Sequence, residues 1–190
     1  LLASALLSAC TKPAESVAAS AASPASGAGH TPAAIGTATA APNPAAVEGK
    51  DYKVLKKPLP TEVPKGKAEV LEFFGYWCPH CNRFAPEFEA WRKQAPAELV
   101  FSMVPVAFGD PNRQPLQRLY LALRDLNLLD ALHMRAFKAV HEDKLPLFTN
   151  EAVIAWAKSQ KEVNGEQFVQ AYNSFSMDAQ IAKADQLTQD

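Results

Sequence analysis

The chain has 190 residues, a hydrophobic content of 48% and a formal net charge of −1 at pH 7. This length suits one domain with a tail, and the hydrophobic content is ample for a core. The near-zero charge provides no basic patch for nucleic acid, and no apolar stretch is long enough to span a bilayer.

The first ten residues contain signals for export and lipid attachment. Residues 1–9 are apolar and small and read as the end of a signal peptide, without an initiating Met or a basic region. Leu7-Ser8-Ala9-Cys10 resembles a bacterial lipobox, which predicts that Cys10 becomes the lipidated N-terminus. The alternative is an ordinary signal cut nearby that leaves Cys10 as a free thiol. Lipidation is favoured because Leu7 lies three residues before the cut and because an odd cysteine needs a use.

Residues 10–48 are predicted to be the lipidated cysteine and a flexible linker. Ala, Ser, Pro, Thr and Gly dominate this stretch, which has almost no large apolar residues. Such a segment cannot bury enough surface to offset its ordering entropy, and its prolines interrupt helix. As a coil it would span about 35 Å or more, enough to hold a domain clear of a membrane. The folded domain is therefore expected over residues 49–190.

Two strands are predicted at the start of this domain. Tyr52–Leu55 is a short first strand, and Ala68–Tyr76 is an apolar second strand of the kind found at the centre of a sheet. Glu72 interrupts the second run. From patterning alone, Glu72 could be a solvated residue on an exposed strand face.

Cys78 and Cys81 stand where the second strand gives way to a helical pattern. A helix N-terminus carries unpaired N–H groups and partial positive charge, so we expect a thiolate at Cys78 with a lowered pKa. Pro79 suits the first helical position, because its ring presets φ and its missing N–H has no partner to lose. A protonated His80 would add positive charge beside the thiolate. Cys81 lies about one turn in, more buried but close enough for a short disulfide, so the layout indicates a thiol–disulfide site.

The segment Glu-Phe-Phe-Gly-Tyr-Trp-Cys-Pro-His-Cys, from Glu72 to Cys81, resembles the active-site segment of DsbA. DsbA is the thioredoxin-like oxidase that introduces disulfides into proteins of the bacterial periplasm. Pro79-His80 is the specific part, because thioredoxins usually carry Gly-Pro there, glutaredoxins Pro-Tyr and eukaryotic disulfide isomerases Gly-His. The resemblance implies a thioredoxin-like α/β fold with an inserted helical domain, and an oxidising redox pair formed by Cys78 and Cys81.

The same resemblance implies a role for Glu72. Proteins like DsbA keep an acid near the disulfide, and Glu72 lies six residues before Cys78. It would then be a buried carboxylate beneath the helix that accepts or relays the proton of Cys81.

The remaining pattern completes a strand–helix–strand unit and then becomes helical. The active-site helix is predicted from Pro79 to about Gln94, followed by a third strand over Leu99–Val106, which gives a parallel crossover. Residues 49–108 form the predicted thioredoxin part and residues 109–190 the helical insertion. The residues expected to face the sheet from the active-site helix are Phe84, Phe88, Trp91 and Ala95. The later helices are predicted around Leu116–Leu126 and Leu132–Val140, from a cap at Asn150, from a capping-box-like start at Asn164, and around Ile181–Leu187.

Other chemistries of a Cys-x-x-Cys motif are disfavoured. His133 or His141 could add zinc ligands, but no second tight ligand pair is present, and both are expected to be surface or packing residues. A c-type haem needs His directly after the second cysteine, where Asn82 stands. A purely structural disulfide is a third alternative, but so short a loop restrains the unfolded chain little. No metal and no cofactor are expected.

The predicted function is that of a lipid-anchored periplasmic thiol–disulfide oxidoreductase. Its expected partners are reduced, unfolded secreted proteins and a membrane reoxidant like DsbB; nucleic acid is not among them, and a monomer is expected. Two alternatives stay open: a reductase or isomerase with the same fold, and a lipid-anchored chaperone or binding module with a non-catalytic disulfide.

The C-terminal half predicts an incomplete sheet. Strand-like segments stop at about Val106, and the last residues, up to Asp190, still follow a helical pattern. A thioredoxin-like sheet needs further strands after the insertion. The family also carries a cis-proline facing the disulfide, whereas the final proline here is Pro146. We therefore expect the chain to be truncated at its C-terminus and inactive as written.

Overall fold

The computed structural model of the chain describes residues 46–59, 61 and 63–189. The predicted signal remnant, the lipidated Cys10 and nearly all of the linker lie outside the described residues. The elements below all belong to the stretch predicted to be the folded domain.

A β–α–β unit forms the first half of this domain. Strand β1 (Ala68–Phe74) leads into helix α1 (Pro79–Arg92), and the chain returns through strand β2 (Leu99–Pro105). The strands pair in parallel, from residue 68 opposite 99 to residue 74 opposite 105. Parallel neighbours need a crossover connection, which α1 supplies. The predicted parallel strand–helix–strand unit is confirmed, with each strand slightly shorter than predicted.

The second half of the described chain is helical, as predicted. Its helices are α2 (Gln114–Asp125), α3 (Leu129–His141), α4 (Asn150–Lys158), α5 (Gly165–Tyr172) and α6 (Phe175–Leu187). None of the helices in the described part of the chain is long and apolar enough to cross a membrane. Together with the parallel strands, these helices confirm an α/β fold.

The predicted first strand at Tyr52–Leu55 is wrong. Tyr52 forms only an isolated bridge with Glu48, and Val54 and Leu55 are 65% and 52% exposed. A strand becomes stable when neighbouring strands satisfy its backbone groups and cover one face. The described residues supply no such neighbour here, so β-prone residues alone do not form a strand.

Helix α1 packs on one face of the small sheet through aromatic side chains. The rings of Phe88 and Trp91 meet the ring of Phe101 on β2 edge-on, with centroids 5.8 and 5.0 Å apart. Phe84 instead contacts Phe88 and is 49% exposed, and Ala95 lies beyond the end of the helix. The sheet-facing stripe is therefore shorter than predicted, because α1 ends before Ala95 and the Phe84 ring lies against Phe88 and solvent.

The main core lies between the helices and the end of β1 nearest the cysteines. Phe74, the last residue of β1, meets Tyr120 of α2 edge-on with ring centroids 5.0 Å apart, and it also contacts Phe137 of α3. The fully buried residues around them include Leu116, Leu119, Leu123, Leu132, Val153, Phe168, Tyr172 and Met177. The helical part therefore fixes the point at which the cysteine motif leaves the sheet.

Helix caps were predicted correctly in one of two places. Asn164 caps α5, where its side chain accepts hydrogen bonds from the N–H groups of Glu166 and Gln167. The predicted cap at Asn150 is wrong. Thr149 has the extended backbone of a cap, and its hydroxyl accepts from Ala152 N–H at 3.2 Å. Either residue type can cap a helix, and the backbone conformation selects Thr149.

Candidate active site

The turn between β1 and α1 presents the cysteines. The Cys78 N–H donates to the Gly75 carbonyl oxygen at 2.9 Å, which closes a tight turn through Tyr76 and Trp77. A Cβ at position 75 would lie only 2.3 Å from the Trp77 indole nitrogen. Glycine is therefore required here by the close approach of the Trp77 ring.

Cys78 is the N-cap residue of α1, as the sequence predicts. Its backbone is extended, with φ −88° and ψ 118°, and its sulfur accepts from the Cys81 N–H at 3.4 Å. Pro79 occupies the first helical turn, where proline costs no hydrogen bond. Both cysteines carry free thiols and are partly buried.

The pKa of Cys78 lies below its ordinary value. Burial alone would raise it, but hydrogen bonds from the Cys81 side chain and from the N–H groups of Cys81 and His80, together with the positive charge of Arg83, outweigh that effect. These contacts favour the thiolate over the thiol. Cys78 is thus prepared to act as a nucleophile and as a leaving group.

Cys81 behaves in the opposite way. Burial raises the pKa of Cys81 to about 11, and the hydrogen bond with the Cys78 side chain and the negative charges of Cys78 and Glu72 act in the same direction. A hydrogen bond with the Gly75 backbone opposes these effects. At neutral pH the second sulfur therefore holds its proton, whereas the first loses its proton more readily than an ordinary cysteine does.

Glu72 lies on β1 and is only partly exposed, which excludes a fully solvated strand position. Burial, reinforced by the charge of Glu89 and opposed by that of Arg92, raises its pKa to about 7. Its Oε2 atom is buried without a hydrogen-bond partner among the described residues. The carboxyl group is near enough to Cys81 to influence the pKa of that thiol. It can therefore exchange a proton near neutral pH.

The sequence predicts that the positive side chain near the Cys78 thiolate is His80, but in the structure it is Arg83. The His80 side chain is exposed, and this residue lowers the pKa of Cys78 through its backbone N–H. The charged side chain that contributes is Arg83. Sequence reasoning missed Arg83, although its place in the first turns of the helix, five residues after Cys78, was a usable signal.

The two residues directly before Cys78, Tyr76 and Trp77, make hydrogen bonds that the sequence did not reveal. The Tyr76 hydroxyl lies 2.9 Å from His133 Nδ1, and the Tyr76 carbonyl accepts from His141 Nε2 at 2.8 Å. The Trp77 indole N–H donates to the Val106 carbonyl at 2.9 Å. Of the two roles expected for these histidines, surface or packing, the contacts correspond to packing.

The outer face of Trp77 forms the rim of the site. The Arg113 guanidinium lies 3.9 Å from the centre of the Trp77 ring, a cation–π contact. Phe108, which is 62% exposed, meets the same ring edge-on at 6.2 Å. The surface beside Cys78 is therefore aromatic and partly apolar.

The geometry brings together Glu72, Cys78, Pro79, His80 and Cys81, whereas Cys10 lies outside the described residues. A nucleophilic thiol and a second thiol one turn away can exchange a disulfide with another thiol pair. No group of three or more His, Cys, Asp or Glu side chains in the described part of the chain is arranged to hold a metal ion.

Sequence comparisons relate this chain to a family model and to known proteins. The Thioredoxin family model matches residues 53–110. The chain is 40% identical over 158 residues to the thiol:disulfide interchange protein DsbA of Bordetella pertussis, covering 83% of this chain and 74% of that protein. It is 39% identical over 157 residues to DsbA of Burkholderia cepacia, covering 83% of this chain and 73% of that protein.

Solved structures agree with the sequence comparison. The crystal structure of a single-residue variant of DsbA from Pseudomonas aeruginosa has a TM-score of 0.71 and 33% identity, and the match covers 76% of each chain. The oxidoreductase NmDsbA3 of Neisseria meningitidis has a TM-score of 0.64 and 37% identity, again over 76% of each chain. The fold is therefore thioredoxin-like, and the chain belongs to the DsbA family of thiol:disulfide interchange proteins, which are oxidoreductases.

Proposed function

We propose that this protein introduces disulfides into reduced, unfolded proteins of the bacterial periplasm through the Cys78–Cys81 pair. The observation that carries the proposal is the opposite pKa shift of the two thiols, lowered at Cys78 and raised at Cys81. Stabilising the Cys78 thiolate stabilises the reduced form, and a dithiol with a stable reduced form is a strong oxidant. The relatives named DsbA support the same direction of reaction.

The reaction takes two exchanges. A substrate thiolate attacks Cys78 Sγ of the disulfide, the Cys78–Cys81 bond breaks, and the Cys81 sulfur takes up a proton as it leaves. A second substrate thiolate then attacks the substrate sulfur of the mixed disulfide, and Cys78 leaves as a thiolate. The substrate loses two electrons and gains a disulfide, while the protein gains the two electrons as a dithiol. The low pKa of Cys78 speeds the second exchange, because a more stable thiolate leaves faster.

Glu72 supplies the proton that the first exchange requires. With a pKa of about 11, Cys81 is a poor leaving group unless its sulfur is protonated as it departs. With a pKa of about 7, Glu72 carries a proton in a large fraction of molecules at neutral pH and can transfer it. In the reverse reaction the ionised carboxylate takes the proton back. Replacing Glu72 with Gln should slow the first exchange more than the second.

The equilibrium of the pair with glutathione tests the direction. A strongly oxidising equilibrium, together with rapid oxidation of a reduced, unfolded substrate protein, supports the proposal. A reducing equilibrium supports a reductase, and disulfide shuffling without net oxidation supports an isomerase. Cys78→Ser is the control: if this variant oxidises as well as the unchanged protein, or if neither oxidises while both bind peptide, the pair is not catalytic.

The reduced pair needs an electron acceptor for turnover. We propose a DsbB-like membrane protein, which passes electrons to quinone, as that partner, with the oxidoreductase acting as a monomer. Membranes that contain such a protein should reoxidise the dithiol and membranes that lack it should not. The comparison uses equal concentrations of reduced protein and follows the loss of free thiol with time.

Attachment to a membrane through Cys10 completes the proposal. The sequence Leu7-Ser8-Ala9-Cys10 supports lipidation, and residues 10–48 provide a linker to the domain over residues 49–190. Expression in a bacterium with a labelled fatty acid tests it, with Cys10→Ser as the control. Label in the parent protein and none in the variant supports the anchor; equal labelling or none in both contradicts it.

A further inference from the structure

Tyr76, two residues before the reactive cysteine, is held at both ends by one helix. Its hydroxyl oxygen lies 2.9 Å from Nδ1 of His133, and its carbonyl oxygen lies 2.8 Å from Nε2 of His141. Both histidines belong to α3 and are eight residues apart, so they lie on one helix face two turns from each other. Helix α3 alone therefore holds Tyr76, and with it the turn between β1 and α1 that carries the cysteine motif.

The packing leaves little freedom in this arrangement. Tyr76 is 1% exposed and His133 is 6% exposed. Phe137, which lies between the two histidines on α3, meets the Tyr76 ring edge-on at 5.0 Å and stacks against the His141 ring at 6.3 Å. Tyr76 therefore cannot rotate or shift without breaking both hydrogen bonds and the aromatic packing.

The chemistry of Tyr76 and the two histidines determines which atoms donate in these hydrogen bonds. A carbonyl oxygen only accepts, so Nε2 of His141 carries the proton that it shares with Tyr76. His133 is neutral at physiological pH, because burial lowers its pKa to about 4. Its Nε2 atom is buried without a hydrogen-bond partner among the described residues. Such an atom destabilises a fold, so an apolar residue would fill the same space at lower cost. A histidine here is best explained by what its other nitrogen does at Tyr76.

We propose that His133 and His141 are positioning residues for the redox pair, because together they fix Tyr76 and through it the orientation of Cys78. Tyr76 lies inside the turn that the Cys78 N–H closes on the Gly75 carbonyl. Its carbonyl belongs to the peptide that leads into Trp77, which is itself fixed to Val106. The direction of that peptide sets where the chain enters Cys78. This inference rests on the proposed redox role of Cys78 and Cys81.

The positioning should matter more in the reduced protein than in the oxidised one. In the reduced form, the Cys78 sulfur keeps its place only through noncovalent contacts such as that with the Cys81 N–H at 3.4 Å. In the oxidised form, the bond to Cys81 itself restrains Cys78. Losing the hydrogen bonds from α3 to Tyr76 therefore weakens thiolate stabilisation in the reduced form and makes the pair less oxidising.

The test compares His141→Leu, which removes the donor, with His141→Gln, whose amide nitrogen can reach the same carbonyl. Lys138→Leu is the matched control, because Lys138 is an exposed residue on the same helix that pairs with Glu142 and Asp143 and has no contact with Tyr76 among its hydrogen bonds or ion pairs. The equilibrium with glutathione should move about fivefold toward the oxidised protein in the Leu variant, as expected for one lost hydrogen bond. The Gln variant should recover most of this loss, and Lys138→Leu should leave the equilibrium unchanged.

A merely structural role predicts a different result. It would lower the melting temperatures of the oxidised and reduced forms equally and leave the equilibrium with glutathione unchanged; this result would overturn the proposal, as would a Gln variant no better than Leu. Tyr76→Phe examines the hydroxyl end in the same assay and should also make the pair less oxidising. An unchanged equilibrium in that variant would remove His133 from the proposal.

A measurement on the unchanged protein does not depend on any variant folding. Long-range proton–nitrogen NMR of the reduced protein should show the proton of His141 on Nε2, and an Nδ1–H tautomer would overturn the proposal. The equilibrium of the unchanged protein with glutathione separately tests the proposed function. If that pair proves weakly oxidising, the function fails, while the ratio between the His141 variants and the unchanged protein still decides the positioning role.

Discussion

The Cys81 amide nitrogen lies 3.4 Å from the Cys78 sulfur, and the two thiols of this single helical turn have pKa values shifted in opposite directions. Cys78 receives the N–H groups of the helix start, whereas Cys81 is placed where burial and nearby negative charge oppose ionisation. One sulfur is therefore suited to leave and the other to hold a proton.

The first prediction concerns thiolate formation and redox-dependent stability. Thiolate absorbance of the reduced protein should titrate below the ordinary cysteine range for Cys78 and at about pH 11 for Cys81. A lowered folded-state pKa stabilises the reduced fold as pH rises from the folded value to the unfolded value, and this stability is lost as pH falls through the folded value. Because the disulfide form lacks the thiol, the reduced protein should melt higher at neutral pH.

For Cys81, the pH dependence of the stability of the reduced fold has the opposite sign, and it appears at high pH. Its pKa is raised from 9.0 to about 11, so the reduced fold should lose stability between these values as the unfolded chain ionises first. Thermal melts of both redox forms from pH 6 to pH 11 check the two signs together. A reduced form that melts below the oxidised form at neutral pH would contradict the oxidase assignment.

The second prediction concerns the buried carboxyl group. The pKa of Glu72 is raised from 4.5 to about 7, so its contribution to stability is present below pH 4.5 and lost as pH rises through 7. Glu72→Gln should therefore be more stable than the parent at pH 8 by about 1–2 kcal/mol, allowing for solvent screening, and nearly equal at pH 4. Urea unfolding of the oxidised proteins, in which the thiols do not titrate, measures both. Glu87→Gln, at an exposed position of α1, is the matched control for removing one carboxyl group.

The third prediction separates Arg83 from His80. Arg83→Gln should raise the pKa of Cys78 and make the pair less oxidising, because a positive charge that favours the thiolate is removed. Arg83→Lys keeps the charge and should behave like the parent. The sequence also predicts that His80→Ser raises the pKa of Cys78, but serine keeps the backbone N–H that the structure identifies. Thiolate titrations of the three variants decide which side chain matters; an unshifted Arg83→Gln would exclude Arg83.

The fourth prediction concerns Gly75. Gly75→Ala places a Cβ within 2.3 Å of the Trp77 indole nitrogen, and that ring is fixed by Val106 and by Arg113. Relieving this overlap should cost about 1–3 kcal/mol of unfolding free energy. Denaturant unfolding measures the loss, and fluorescence should report a changed environment of Trp77. Gly165→Ala provides a control, because Gly165, like Gly75, has no positive φ and an added Cβ there would meet the flexible Lys158 side chain at 3.0 Å.

The chemistry of the motif was readable because it is local. Cys78, Pro79 and Cys81 lie within one turn, and a strand running into a helix fixes which backbone N–H groups face the first sulfur. The same locality explains why the β–α–β unit and the later helices were predicted from apolar spacing. The strand predicted at Tyr52–Leu55 does not form, because strand propensity is realised only where a neighbouring strand pairs with it.

Only the tertiary structure decided what surrounds that motif. Glu72 has a pKa of about 7 because burial and the negative charge of Glu89 on α1 raise it and outweigh the opposing charge of Arg92, and none of this follows from its place in a strand. Tyr76 meets His133 across 57 residues of sequence, and a spacing of eight between two histidines does not say which residue they face. Burial and long-range partners depend on how distant segments pack, whereas a helix start and its cysteines are determined by neighbouring residues alone.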